Sequence, residues 1–74
     1  MNIEDTNKIS SLDILDTKCN FKILELEGIS LDDDWSKLSK LKNLETLILK
    51  DSYIDFKKFY NAIFSLKKLN KLRL

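Results

Sequence analysis

The sequence predicts an α/β chain in which short strands alternate with helical segments. Three observations lead there. Between Leu41 and Ile54 the positions Leu41, Leu44, Leu47, Leu49, Ser52 and Ile54 follow L-x-x-L-x-x-L-x-L-x-x-S-x-I, which is neither a helical period nor plain strand alternation. The spacing recurs. Leu66, Leu69, Leu72 and Leu74 repeat its first four positions 25 residues later, and Phe21, Leu24, Leu26, Ile29 and Leu31 match Leu44, Leu47, Leu49, Ser52 and Ile54 at a shift of 23. Between two of these matches, Phe56, Phe59, Tyr60, Ile63 and Leu66 keep the i, i+3, i+4, i+7 spacing of a helix.

This pattern resembles the leucine-rich repeat, L-x-x-L-x-L-x-x-N/C-x-L, whose period runs over roughly 20–29 residues. Ser52 stands where that family carries Asn or Cys, and Ile29 takes the same place one unit earlier. The resemblance covers Phe21 to Leu74. It implies a leucine-rich-repeat solenoid of about two and a half repeats (21–43, 44–65 and a partial 66–74) behind an N-terminal cap over 1–20. Short parallel strands would line its concave side and helical segments its convex side. The chain has no Pro, which disfavours repeat subtypes with Pro in the loop.

Taken in order, Met1 to Asn20 does not fit the repeat. Ile9, Leu12 and Cys19 fit one helical face with Leu15 at its edge, whereas Leu12 and Ile14 also fit a short alternating strand. A solenoid's first unit has an open apolar end that needs covering. Ile9 to Cys19 is therefore read as a cap, helical or a helix-turn, with residues 1 to about 6 frayed. Ile23–Glu27 reads as a strand, with Leu24 and Leu26 inward and Ile23, Glu25 and Glu27 outward. Gly28 then permits a turn, and Leu31 closes the motif. One of Asp32, Asp33 and Asp34 is expected to cap the next helical segment. Trp35, Leu38 and Leu41 form the inner face of a helical or 3₁₀ stretch, the Trp35 indole needing a hydrogen-bond partner in the core.

The second unit repeats this layout. Thr46–Lys50 is a strand, with Leu47 and Leu49 inward and Thr46, Ile48 and Lys50 outward. Ser52 is placed to hydrogen-bond loop backbone, and Asp55 is an N-cap. The helix that follows presents Phe56, Phe59, Tyr60, Ile63 and Leu66 to the core, and Tyr53 and Phe64, off the buried pattern, are candidates for partial exposure. The third unit stops at Leu74, before its polar and closing positions. The chain is therefore read either as a fragment or as one whose last unit something else covers.

The size of 74 residues bounds the chain to one domain. Its 43% hydrophobic and 34% charged residues are ordinary for a globular chain, and no apolar run approaches the ~18 residues of a membrane span. Glu4 and Asp5 have the wrong charge for a secretory leader. Cys19 is the only cysteine, so no internal disulfide forms; a buried apolar role and a cytoplasmic, intracellular setting are expected. Charge is uneven. Met1 to Trp35 carries net −6 and Ser36 to Leu74 net +7, which reads either as two partner surfaces or as a solvated exterior.

Little in the chain suggests catalysis. Without His, the nucleophile arrangements that need an imidazole are impossible. One Gly excludes the phosphate-cradling loops, and one Cys excludes a paired-cysteine zinc site. Asp32 to Asp34 lack the alternating spacing of a calcium loop. Glu25 and Glu27 share the outer face of a strand, but two exposed carboxylates lack the desolvation that acid–base work requires. No enzyme activity, cofactor or metal is expected.

What remains is a surface. Stacking the strands gives outward rows of Ile23, Thr46 and Lys71; of Glu25, Ile48 and Arg73; and of Glu27 and Lys50. These eight residues are the candidate partner-binding set, an apolar centre with a charged rim. The expected function is a non-catalytic protein–protein interaction module acting through its concave sheet. The alternative is a small structural subunit of a ribonucleoprotein or other large assembly, held through the basic C-terminal half, where Lys57, Lys58, Lys67, Lys68, Lys71 and Arg73 can meet phosphates. Self-association at the uncapped C-terminal end is a third possibility. RNA has weak support, since the net charge is only +1 and no RNA-stacking motif is present.

Overall fold

A computed structural model describes residues 6–74. The fraying expected over residues 1 to about 6 lies outside that range except at Thr6, which instead begins a strand. Four parallel strands form one sheet in sequence order: β1 (Thr6–Ile9), β2 (Ile23–Glu27), β3 (Thr46–Lys50) and β4 (Lys71–Arg73). Parallel neighbours need a crossover on one side of the sheet. Here the crossovers carry a short 3₁₀ turn (Leu12–Ile14), a longer 3₁₀ segment (Trp35–Lys40) and the helix α1 (Phe56–Ile63). The class is α/β, as the apolar spacing indicates.

The core lies between the sheet and this helical layer. Leu24, Leu26 and Leu47 are fully buried and Leu49 nearly so. They meet Trp35, Leu38, Leu41, Leu44 and Phe59, all likewise buried, in one apolar cluster. Trp35 stands edge-on to Phe59, ring centres 5.9 Å apart at 89°, a favoured aromatic geometry. Its indole N–H donates to the Leu31 carbonyl at 3.3 Å. Asp34 caps the 3₁₀ segment by accepting from the Ser36 amide, and Asp55 caps α1 by accepting from the Lys58 amide.

Loop contacts also tie the neighbouring strands together. The Lys22 carbonyl accepts from the Glu45 and Thr46 amides, and the Glu45 carbonyl accepts from the Asn70 and Lys71 amides. Asn43 donates to the Asn20 side-chain oxygen and accepts from Lys68 Nζ at 3.0 Å. After β2 and β3 the backbone turns through positive φ at Gly28 (73°) and Asp51 (50°), 23 positions apart. Ser52 Oγ accepts from the buried Ile29 amide and donates to the Lys50 carbonyl, both at 3.0 Å.

Several expectations need correction. The stretch Ile9 to Cys19 is not a helix. Its start belongs to β1, and Leu12–Ile14 is a single 3₁₀ turn. β1 holds one buried apolar residue, Ile9, and pairing with β2 outweighs its weak local pattern. Cys19 is half-buried, its thiol 3.8 Å from the Ile14 carbonyl. Leu31 is exposed while its carbonyl serves Trp35. Phe56 and Tyr60 are about half exposed, since Phe59 and Ala62 supply the buried side of α1. Tyr53 and Phe64 are exposed, as their positions suggest.

Candidate functional site

Side chains alternate along a strand, so burying Leu24, Leu26, Leu47 and Leu49 forces their neighbours onto the opposite face. The register aligns those neighbours. Ile23 lies beside Thr46 and Thr46 beside Lys71; Glu25 lies beside Ile48 and Ile48 beside Arg73; Glu27 lies beside Lys50. All eight candidate residues therefore occupy one outer face in the three rows read from the sequence. β1 lengthens two rows, setting Thr6 beside Ile23 and Lys8 beside Glu25. These two residues were missed. Their strand precedes β2 by 17 positions (Thr6 to Ile23), shorter than the 23 (Ile23 to Thr46) and 25 (Thr46 to Lys71) of the later steps.

The charges divide the face unequally. Glu25 was expected in water, yet it is only 9% exposed. Lys8 and Lys50 approach it from either side, each with Nζ 3.6 Å from Oε2, and Lys8 also reaches Glu27 at 3.3 Å. Lys50, although in register with Glu27, pairs diagonally with Glu25, while Lys8 of β1 reaches Glu27. Glu25 Oε2 has no hydrogen-bond partner among the described residues; its attraction to the two ammonium groups is coulombic. The Lys8 ammonium is held above its usual 10.5, first by its hydrogen bond to Glu27 and then by the charges of Glu27 and Glu25.

Beside this neutralised cluster runs an open groove of about 510 Å³. Thr6, Ile23, Thr46, Ile48, Lys71 and Arg73 line it, so it crosses all four strands. Its floor is apolar where half-buried Ile23 and Ile48 meet Thr46, and cationic at the β4 end. Lys71 and Arg73 are exposed and form no ion pair among the described residues.

This arrangement can bind: an apolar floor takes side-chain area, and free cations orient anions. A second exposed region lies at the C-terminal side. Phe56, Tyr60 and Phe64 recur every four residues along one flank of α1, and Leu72 and Leu74 are exposed where the equivalent Leu47 and Leu49 are covered. No helix among the described residues is long and apolar enough to cross a membrane.

No family model, no curated protein and no solved structure matches the chain.

Proposed function

We propose that the chain is a leucine-rich-repeat-like solenoid that works in the cytoplasm as a non-catalytic protein-interaction module. It engages a protein partner through the outer, concave side of its sheet. The observation that carries this reading is the groove across β1 to β4, where half-buried Ile23 and Ile48 sit between a neutralised ion cluster and two unpaired cations. An apolar centre rimmed by charge is how binding surfaces are commonly built. The test is co-purification from native extract with wild-type chain, with Ile48→Asp and with Lys57→Glu, the last on the exposed side of α1. A protein retained by wild type and Lys57→Glu but lost with Ile48→Asp supports the reading. One retained by all three refers binding to another surface.

The alternative is a small subunit of a ribonucleoprotein or other large assembly, or a self-associating chain. It is favoured by the exposed Phe56, Tyr60, Phe64, Leu72 and Leu74 within the half that carries net +7, of which Phe56 and Tyr60 adjoin, because exposed apolar patches mark contact sites. RNA affinity that falls steeply with salt supports the ribonucleoprotein form. A mass that rises with concentration supports self-association.

A further inference from the structure

The outer groove also indicates what kind of segment would fill it. This inference rests on the proposed function and narrows the partner's chemistry.

Four cations belong to the outer face, and they are not equivalent. Lys8 and Lys50 are committed to Glu25 and Glu27 at 3.3–3.6 Å. Lys71 and Arg73 pair with no carboxylate among the described residues, and both line the groove. Among the described residues of the outer face, the carboxylates are thus spoken for, and the charge left unmatched is positive and lies at the β4 end. The outer face, among the described residues, is a neutral field with one cationic end.

The floor excludes some ligands. None of the outward residues on the four strands is aromatic, so bases find no stacking platform. Lys8 and Lys50 are already engaged by Glu25 and Glu27, so a continuous phosphate chain finds free cations only at the β4 end. An anion concentrated at one end of an apolar segment meets neither objection. Three strand spacings span about 14 Å, roughly the reach of four extended residues.

We propose that the groove takes a short acidic–apolar peptide segment. Its apolar side chains lie over Ile23, Thr46 and Ile48, and its carboxylates meet Lys71 and Arg73. Arg73 is suited to bidentate carboxylate contact and Lys71 to a point-charge contact. Glu25 acts indirectly: by holding Lys8 and Lys50, it leaves the β4 end as the attractive pole.

The test is amide chemical-shift mapping on the isotopically labelled 74-residue chain. The probes are a blocked hexapeptide of leucine and valine ending in two aspartates, the same peptide ending in two lysines, and an oligouridylate. The aspartate-ended peptide is expected to shift Ile23, Thr46, Ile48, Lys71 and Arg73 saturably. It should bind about tenfold more tightly than the lysine-ended one, a difference of about 1.4 kcal/mol. Reversing Lys71 and Arg73 together to Glu should invert that preference, and Lys57→Glu should leave it unchanged. Equal affinity of the two peptides, or a preference for lysine, overturns the inference while keeping a protein-binding face. Tighter binding of oligouridylate at the same residues overturns it in favour of nucleic acid. If no peptide of either charge perturbs the groove, this inference and the proposed face fail together. Because the peptide comparison uses wild-type chain, it stands even if the double reversal impairs folding.

Discussion

Replacing Ser52 by Ala removes one hydroxyl and tests whether the stack depends on its loops. Ser52 Oγ makes two bonds of 3.0 Å, and they differ in consequence. The Lys50 carbonyl also accepts the Gly28 amide at 3.1 Å, so it keeps a partner when the hydroxyl goes. The Ile29 amide donates to Ser52 alone, and Ile29 is 0% exposed, so water cannot replace the lost acceptor. Leaving one buried amide unsatisfied costs about 1–3 kcal/mol. A chain of this size has roughly 4–11 kcal/mol of total stability, so the change removes a substantial share. Urea unfolding followed by the single tryptophan is a direct assay, because Trp35 is buried edge-on to Phe59. Ser30→Ala is the control: its hydroxyl serves the Asp32 amide in an exposed turn, and a loss below about 0.5 kcal/mol is expected. If Ser52→Ala unfolds at the wild-type midpoint, or no earlier than Ser30→Ala, the inter-loop bond contributes nothing and the reasoning fails.

Four further variants probe the backbone turns and the charged pairs. Gly28→Ala should destabilise by about 1–2 kcal/mol, although a Cβ there meets nothing within 4 Å, because the cost lies in the positive φ itself. Asp51→Gly, at the positive-φ turn after β3, should not destabilise measurably, and a clear loss in the urea midpoint counts against the shared turn geometry. In acid, Asp34 should contribute instability: hydrogen bonding from Ser36 holds its carboxyl below the usual 3.8, so its stabilisation is present above pH 3.8 and lost as pH falls through the lowered value. Lys8 has the opposite sign, stabilising below pH 10.5 and failing as pH rises through its raised value. Asp34→Asn should flatten the acid limb of a thermal-stability profile and Lys8→Met the alkaline limb, and unchanged limbs count against these pairings.

The parts legible from the sequence are those where one face is strongly apolar. β2 and β3 run over Ile23–Glu27 and Thr46–Lys50 as read, because alternating leucines at a fixed recurrence specify both strand and register. The Ser52 loop contact was legible for the same reason: its position follows from the strand before it. β1 was not legible. Its inner positions are Asn7 and Ile9, so it offers one apolar residue instead of two, and only pairing with β2 makes it a strand. That omission propagated. Without Lys8 on the sheet, nothing in the sequence indicated that Glu25 would be enclosed between two ammonium groups. The exposure of Phe56 and Tyr60 was hidden differently. Helical spacing marks an apolar stripe, but it does not say how much of that stripe the neighbouring elements cover.

Adjacent side chains of one strand serve opposite purposes, those facing the core holding the fold and those facing out left available for contact. Comparing the unfolding free energies of Leu47→Ala and Ile48→Ala tests this most directly. Leu47 is 0% exposed beneath the sheet, and its truncation should cost about 2–5 kcal/mol. Ile48 lines the outer groove, and its truncation should cost less than about 1 kcal/mol. Equal losses, or a larger loss at Ile48, would contradict the division of the sheet into a supporting face and a binding face.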